Sequence, residues 1–146
     1  MKKKVLNSTL IGDILYVGIA LLPESREVLR TIFGDKCSDH VTIAFRDSIT
    51  MYQLLWCYKM ISDNTIINFS GNRFGEDEKV QALFLNPDSF SVDVPFPEGK
   101  RPHVTVRVFK GGKPYDSNLI PDENLISGPD ITLHGRVRVW TKQKED

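Results

Sequence analysis

Two of the chain's three histidines stand in the same tripeptide, His40-Val41-Thr42 within DHVTIAF and His103-Val104-Thr105 within PHVTVRV. Each copy lies in a run with apolar residues at every second place, the pattern of a half-buried β-strand. Side chains i and i+2 of a strand share a face, roughly 6.5 to 7 Å apart. Each motif therefore offers an imidazole and a hydroxyl together and anchors its valine on the other side. Imidazole titrates near neutrality, so of two opposed histidines one can accept a proton while the other donates one. Phosphodiester cleavage needs that division: a base for water or a ribose 2′-OH, an acid for the departing oxygen. Threonine hydroxyls alongside can hydrogen-bond the non-bridging oxygens as charge builds on them. On this reading His40 and His103 are the acid–base pair, and Thr42 and Thr105 bind phosphate. Histidines on opposite sides of the molecule would instead make the motifs ordinary strand sequence.

The alternation places Arg46 on the first histidine face and Arg107 on the second, where a guanidinium would suit the same anion. Val41, Ile43 and Phe45 fall on the core face. Lys110-Gly111-Gly112-Lys113 lacks P-loop spacing and no helical pattern follows it, so it reads as a flexible loop from which Lys110 or Lys113 reaches substrate or solvent. Tyr16, Tyr115 and Trp56 are aromatic candidates beside a base. His134 has no threonine at i+2 and reads as non-catalytic, with a substrate contact as its functional alternative. Glu76, Asp77 and Glu78 fit a solvated hairpin tip better than a metal site, and Cys37 and Cys57 lack ligand spacing. Neither a metal nor a cofactor is expected.

At 146 residues the chain fits one domain, and 1–11 and 142–146 are expected to fray. Nineteen basic and nineteen acidic residues cancel, which argues against a protein that coats nucleic acid and leaves room for a small phosphate-bearing ligand held locally. Oligomeric state is open. Lys2, Lys3 and Lys4 precede an apolar stretch, but Asn7, Ser8, Thr9 and Asp13 interrupt it and no small-residue cleavage site follows. No stretch approaches the roughly 20 apolar residues of a membrane span. A cytoplasmic location without a membrane partner is expected.

A first strand, Asp13 to Leu22, presents Tyr16, Gly18 and Ala20 on one face, where the small residues admit either a packed helix or the floor of a groove. Pro23 opens a helix that Gly34 ends. The first motif strand follows at Asp39 to Arg46. Asp47 or Ser48 then caps a second helix whose apolar stripe is Met51, Leu54, Leu55, Tyr58 and Ile61. Short strands are expected in TIINFSG, KVQALFLN and SFSVDV, then the second motif strand from His103 to Phe109. A loop of about 20 residues, long enough to act as a lid, separates it from a last strand, Asp130 to Trp140. Helices gathered early and antiparallel strands later make this α+β.

With two H-x-T motifs on separate strands, the chain resembles the two-histidine (2H) phosphoesterase superfamily. The opening YVGIALL strand, the early helix and the closing HGRVRVW strand look like that family too. The look is nearest to the cyclic-phosphodiesterase domains of fungal and plant tRNA ligases and their small viral or phage relatives, whose setting would be the host cytoplasm. The spacing of the histidines, 63 positions from His40 to His103, is short for the family. The resemblance implies a bilobal α+β fold, with antiparallel sheets in pseudo-twofold symmetry about a central groove and two main helices outside. It implies acid–base roles for His40 and His103 and phosphate contacts for Thr42 and Thr105, without a metal. Substrates would be small RNA-type nucleotides or RNA ends: 2′,3′-cyclic phosphates, 2′-5′ oligoadenylates or cyclic oligonucleotide messengers. The alternative is a catalytically idle nucleotide- or RNA-binding module using the same groove.

Overall fold

In the computed structural model, residues 13–142 are described. Of the ends expected to fray, 1–11 and 143–146 lie outside the described residues, while the Lys142 N–H donates to the Asp13 carbonyl at 2.9 Å. The order is β1 (Ile14–Leu21), α1 (Pro23–Phe33), β2 (His40–Phe45), α2 (Met51–Ser62), β3 (Ile67–Glu76), β4 (Val80–Leu85), β5 (His103–Val108) and β6 (Leu125–Thr141). The protein is α+β. Its six strands form one antiparallel sheet in the order β2-β1-β6-β3-β4-β5.

The seventeen-residue β6 serves both halves of that sheet. Its C-terminal part, from Gly135 to Thr141, pairs with β1, and its N-terminal part, from Leu125 to Gly135, pairs with β3. Outward from β6 and β3, each side passes one inner strand, β1 or β4, and ends on an edge strand that carries a motif. The two sides are thus related by a pseudo-twofold axis between β6 and β3. Pro129 sits where the β3–β6 register shifts, a place that needs no ladder donor.

One face of the sheet is the core side. Val17, Ile19, Phe69, Leu83, Val104 and Leu133 are buried there with Leu29 of α1 and Leu54 and Cys57 of α2. On the other face a smaller cluster of Val80, Ala82, Phe84 and Ile120 holds the segment after β5 against β4. That segment contains short 3-10 turns at Pro114–Leu119 and Asp122–Asn124.

Four local expectations change. Helix α2 is capped by Thr50, whose hydroxyl accepts from Gln53 N–H (3.1 Å) while the Gln53 side chain accepts from Thr50 N–H (2.8 Å), a capping box in place of Asp47 or Ser48. That box, with the Gln53 amide donating to the Pro95 carbonyl (2.9 Å), turns Gln53, Leu54 and Cys57 inward, so Met51, Leu55, Tyr58 and Ile61 of the expected stripe are exposed. Residues 89–94 form no strand; Phe90, Val92 and Val94 alternate and pack inward, but the main chain bonds to β3 only where the Ser91 N–H donates to the Asn68 carbonyl, the other bonds running through the hydroxyls of Ser89, to Ser70, and of Ser91, to the Asn68 N–H. Strand β6 starts at Leu125 rather than Asp130, shortening the loop.

Gly18 lies opposite Thr42, and a Cβ there would run into the Val41 carbonyl. The space at Gly18 is thus filled by the backbone of β2, neither by a helix nor by an open groove. Gly18→Ala is expected to cost about 1–3 kcal/mol of stability through overpacking. Equal denaturant midpoints for the two proteins would contradict so close an approach.

Candidate active site

The two motifs occupy equivalent registers. His40, Val41 and Thr42 pair with Ala20, Ile19 and Gly18 of β1; His103, Val104 and Thr105 pair with Phe84, Leu83 and Ala82 of β4. In both ladders the threonine faces a small residue, and the register shifts directly after it, leaving Ile43 and Val106 unpaired as bulges. Each bulge reverses the phase of the rest of its strand. Ile43 and Ala44 are both buried, and Phe45, expected in the core, turns to the histidine side. Arg107, expected beside His103, instead donates to the Phe33 carbonyl at the end of α1 (3.1 Å).

The edges of the sheet curl toward each other, and the Ser38 N–H donates to the Thr105 carbonyl across the gap (3.0 Å). His40, Thr42, His103 and Thr105 consequently line one groove of about 170 Å³. Tyr16, Phe45 and Ser38 complete one wall, and Lys100, Pro114, Tyr115 and Asn118 the other. Tyr16 and Tyr115, two of the aromatic candidates, thus border the groove. Arg46 lies in an adjoining recess beyond Tyr16 and Phe45. Lys110 and Lys113 do not line the groove; Lys113 N–H is held by Asp116. His134 is bonded to Asn68 of β3 and is also absent from the groove. Trp56 packs against the core.

The histidines differ in what holds them. His103 Nδ1 lies 2.8 Å from the Arg101 carbonyl, which can only accept, so Nδ1 carries the proton and Nε2 holds the free lone pair of the neutral ring. His103 is 8% exposed, and burial pushes its pKa down to about 4; the Arg101 bond opposes this, while the charges of Lys100, Arg101 and His40 add to it. His40 Nδ1 lies 3.3 Å from both the Asp39 carboxylate and the Ser38 hydroxyl. Burial lowers its pKa also, but Asp39 works against that shift through its hydrogen bond and its charge. His40 stacks on Tyr16 (5.1 Å), and Tyr16 on Trp140 of β6 (4.6 Å).

The threonines differ as well. Thr105 Oγ1 is 2.8 Å from the hydroxyl of Ser117, which is fully buried in the 3-10 turn. Sequence reading missed Ser38, Ser117, Asn118, Lys100 and Trp140. For Trp140 the signal was available, since it continues the polar-face phase of Arg136 and Arg138; the others sit on irregular backbone with no period to betray them. Burial raises the pKa of Cys37 to about 11 and of Cys57 to about 12, as suits inert thiols. Among the described residues, no group of three or more His, Cys, Asp or Glu is placed to hold a metal, and no helix is long and apolar enough to cross a membrane.

No protein-family model and no curated protein match the chain. A solved structure of a fungal RNA kinase is similar with a TM-score of 0.45 and 14% identity, over 88% of this chain and 44% of that one. The chain thus spans less than half of that structure's length.

A histidine held neutral by the fold sets the sign of a pH effect. Below its ordinary value of about 6.5 the unfolded chain binds a proton that folded His103 refuses until about pH 4. Stability present above pH 6.5 is therefore lost as pH falls through that window, by on the order of 3 kcal/mol. Denaturation of the protein and of His103→Asn at pH 7 and 4.5 measures this; equal losses in both would rule it out.

Proposed function

We propose that the chain is a metal-independent phosphodiesterase that hydrolyses a small RNA-type nucleotide by two-histidine acid–base catalysis. The observation that carries the reading is the convergence of His40, Thr42, His103 and Thr105 on one groove in matching registers. Strand registers fix these four groups before substrate arrives, so the reacting phosphate meets donors that need little reorganisation.

The unequal surroundings of the histidines support a division of labour. Neutral His103, with its Nε2 lone pair free, takes the proton of an attacking water. The water oxygen forms a bond to phosphorus as the bond to a ribose oxygen breaks. His40, whose protonated form Asp39 favours, gives that leaving oxygen its proton. The Thr42 and Thr105 hydroxyls donate to the non-bridging oxygens. Ser117 matters to the second of these bonds, because a Ser117 O–H donating to Thr105 Oγ1 leaves the Thr105 proton to a long bond with the Pro114 carbonyl (3.4 Å), which a phosphate oxygen would replace. A bound anion would also raise both imidazole pKa values from their depressed levels.

The test offers 2′,3′-cyclic nucleotides, 2′-5′ oligoadenylate and cyclic dinucleotides in the presence of a chelator. His40→Ala and His103→Ala are each expected to lower turnover by about 10²–10⁴-fold. A strict need for added metal, or turnover that survives loss of both histidines, would refute the mechanism. Nucleotide binding without product would leave a non-catalytic binding module in its place. Ser117→Ala is expected to reduce kcat by about tenfold, with Ser117→Thr restoring part of it. An unchanged kcat in Ser117→Ala removes that residue from the mechanism.

A further inference from the structure

Lys100 lies on the groove wall and also borders a second, larger recess of about 500 Å³. At about 170 Å³ the catalytic groove is smaller than the roughly 300–1,000 Å³ of ordinary ligand sites, so it suits a phosphoryl group and leaves the nucleoside outside. The larger recess is bordered by Asn72, Arg73, Phe84, Asn86, Lys100 and Arg101. Its nearest carboxylate, Asp122, is engaged by Arg101 at 3.0 Å. Arg101 is held besides by the carbonyls of Asn118 and Ile120 and lies over the Phe84 ring (4.5 Å). Neither Lys100 nor Arg73 has a carboxylate within 4.0 Å among the described residues. Lys100 is half-buried, and that burial lowers its pKa. Asn86 spends its side-chain oxygen on the Asp88 N–H (2.9 Å), which leaves its amide hydrogens to donate.

We propose that this recess is a second phosphate subsite, with Lys100 between the two, so that the substrate is a nucleotide carrying another phosphate one nucleoside from the scissile one. This rests on the hydrolase reading and narrows it: an RNA terminus or an oligonucleotide is the substrate, in preference to a free cyclic mononucleoside phosphate. Lys100 faces the scissile phosphate from one side and the second phosphate from the other, and Arg73 and the Asn86 amide serve the second alone.

The experiment compares one nucleoside 2′,3′-cyclic phosphate with a 5′-hydroxyl against the same compound with a 5′-phosphate, and with a dinucleotide ending in the cyclic phosphate. The second phosphate is expected to raise kcat/KM by about tenfold, with Arg73→Met and Lys100→Met each bringing the ratio close to one. Lys100→Met is also expected to move the acidic limb of the pH profile upward. The charges facing His103 are Lys100, Arg101 and His40, and loss of the first eases its protonation. Equal kcat/KM for all three compounds, or a preference that survives both substitutions, would overturn the subsite. A preference confined to the dinucleotide would also overturn it, by assigning the gain to the added nucleoside. Should none of the compounds be turned over, hydrolysis of 2′,3′-cyclic phosphates fails by itself. The same three nucleotides are then compared by binding affinity, where a preference for the second phosphate lost in Arg73→Met upholds the subsite and equal affinities reject it.

Discussion

A single backbone hydrogen bond, from the Ser38 N–H to the Thr105 carbonyl, joins the two edges of the sheet. In the strand order β2 and β5 are as far apart as two strands can be, so an open sheet would hold the motifs at opposite ends. The bond closes that distance at the level of the main chain. It connects the residue two before His40 to the peptide of Thr105 itself. Its net worth is on the order of 1 kcal/mol, small beside the core, yet it fixes the spacing of the groups that line the groove. The curl of the sheet supplies the approach, and this contact sets its final value.

The two half-sites share a register, a small residue opposite each threonine and a bulge after it. They do not share what surrounds them. One imidazole is held by a peptide carbonyl and the other by a carboxylate and a hydroxyl; one threonine is backed by a buried serine. The near-symmetry of the strands places equivalent groups face to face, and partners outside the strands make them chemically unequal. A reaction that needs both an acid and a base is served by that combination.

The fold class, both helices and the strands bearing the motifs were legible because period and punctuation agree over each segment. So were the four central side chains, since i and i+2 share a face whatever happens further along. Legibility stopped at the bulges. One extra residue at Ile43 and at Val106 reverses every later assignment, which is why Phe45 reached the groove and Arg107 left it. The α2 stripe misled because Met51, Leu55, Tyr58 and Ile61 are apolar at helical spacing yet face outward, while a polar glutamine is buried for its hydrogen bonds. Lys100, Ser117 and Asn118 stand on loops, where position follows from tertiary contacts rather than local sequence.

The length of β6 has a consequence for the order of events in folding. β1 and β2 can meet early, since only α1 separates them, but β1 finds its other neighbour more than a hundred residues later. β3 likewise waits for the same strand. Such distant pairings are slow to form, because loop-closure entropy is lost before the contacts repay it. Until that last strand is laid between them, no strand pairing joins the two sides of the sheet. A chain that stops short of residue 125 has both motifs and lacks the strand that sets their two halves side by side.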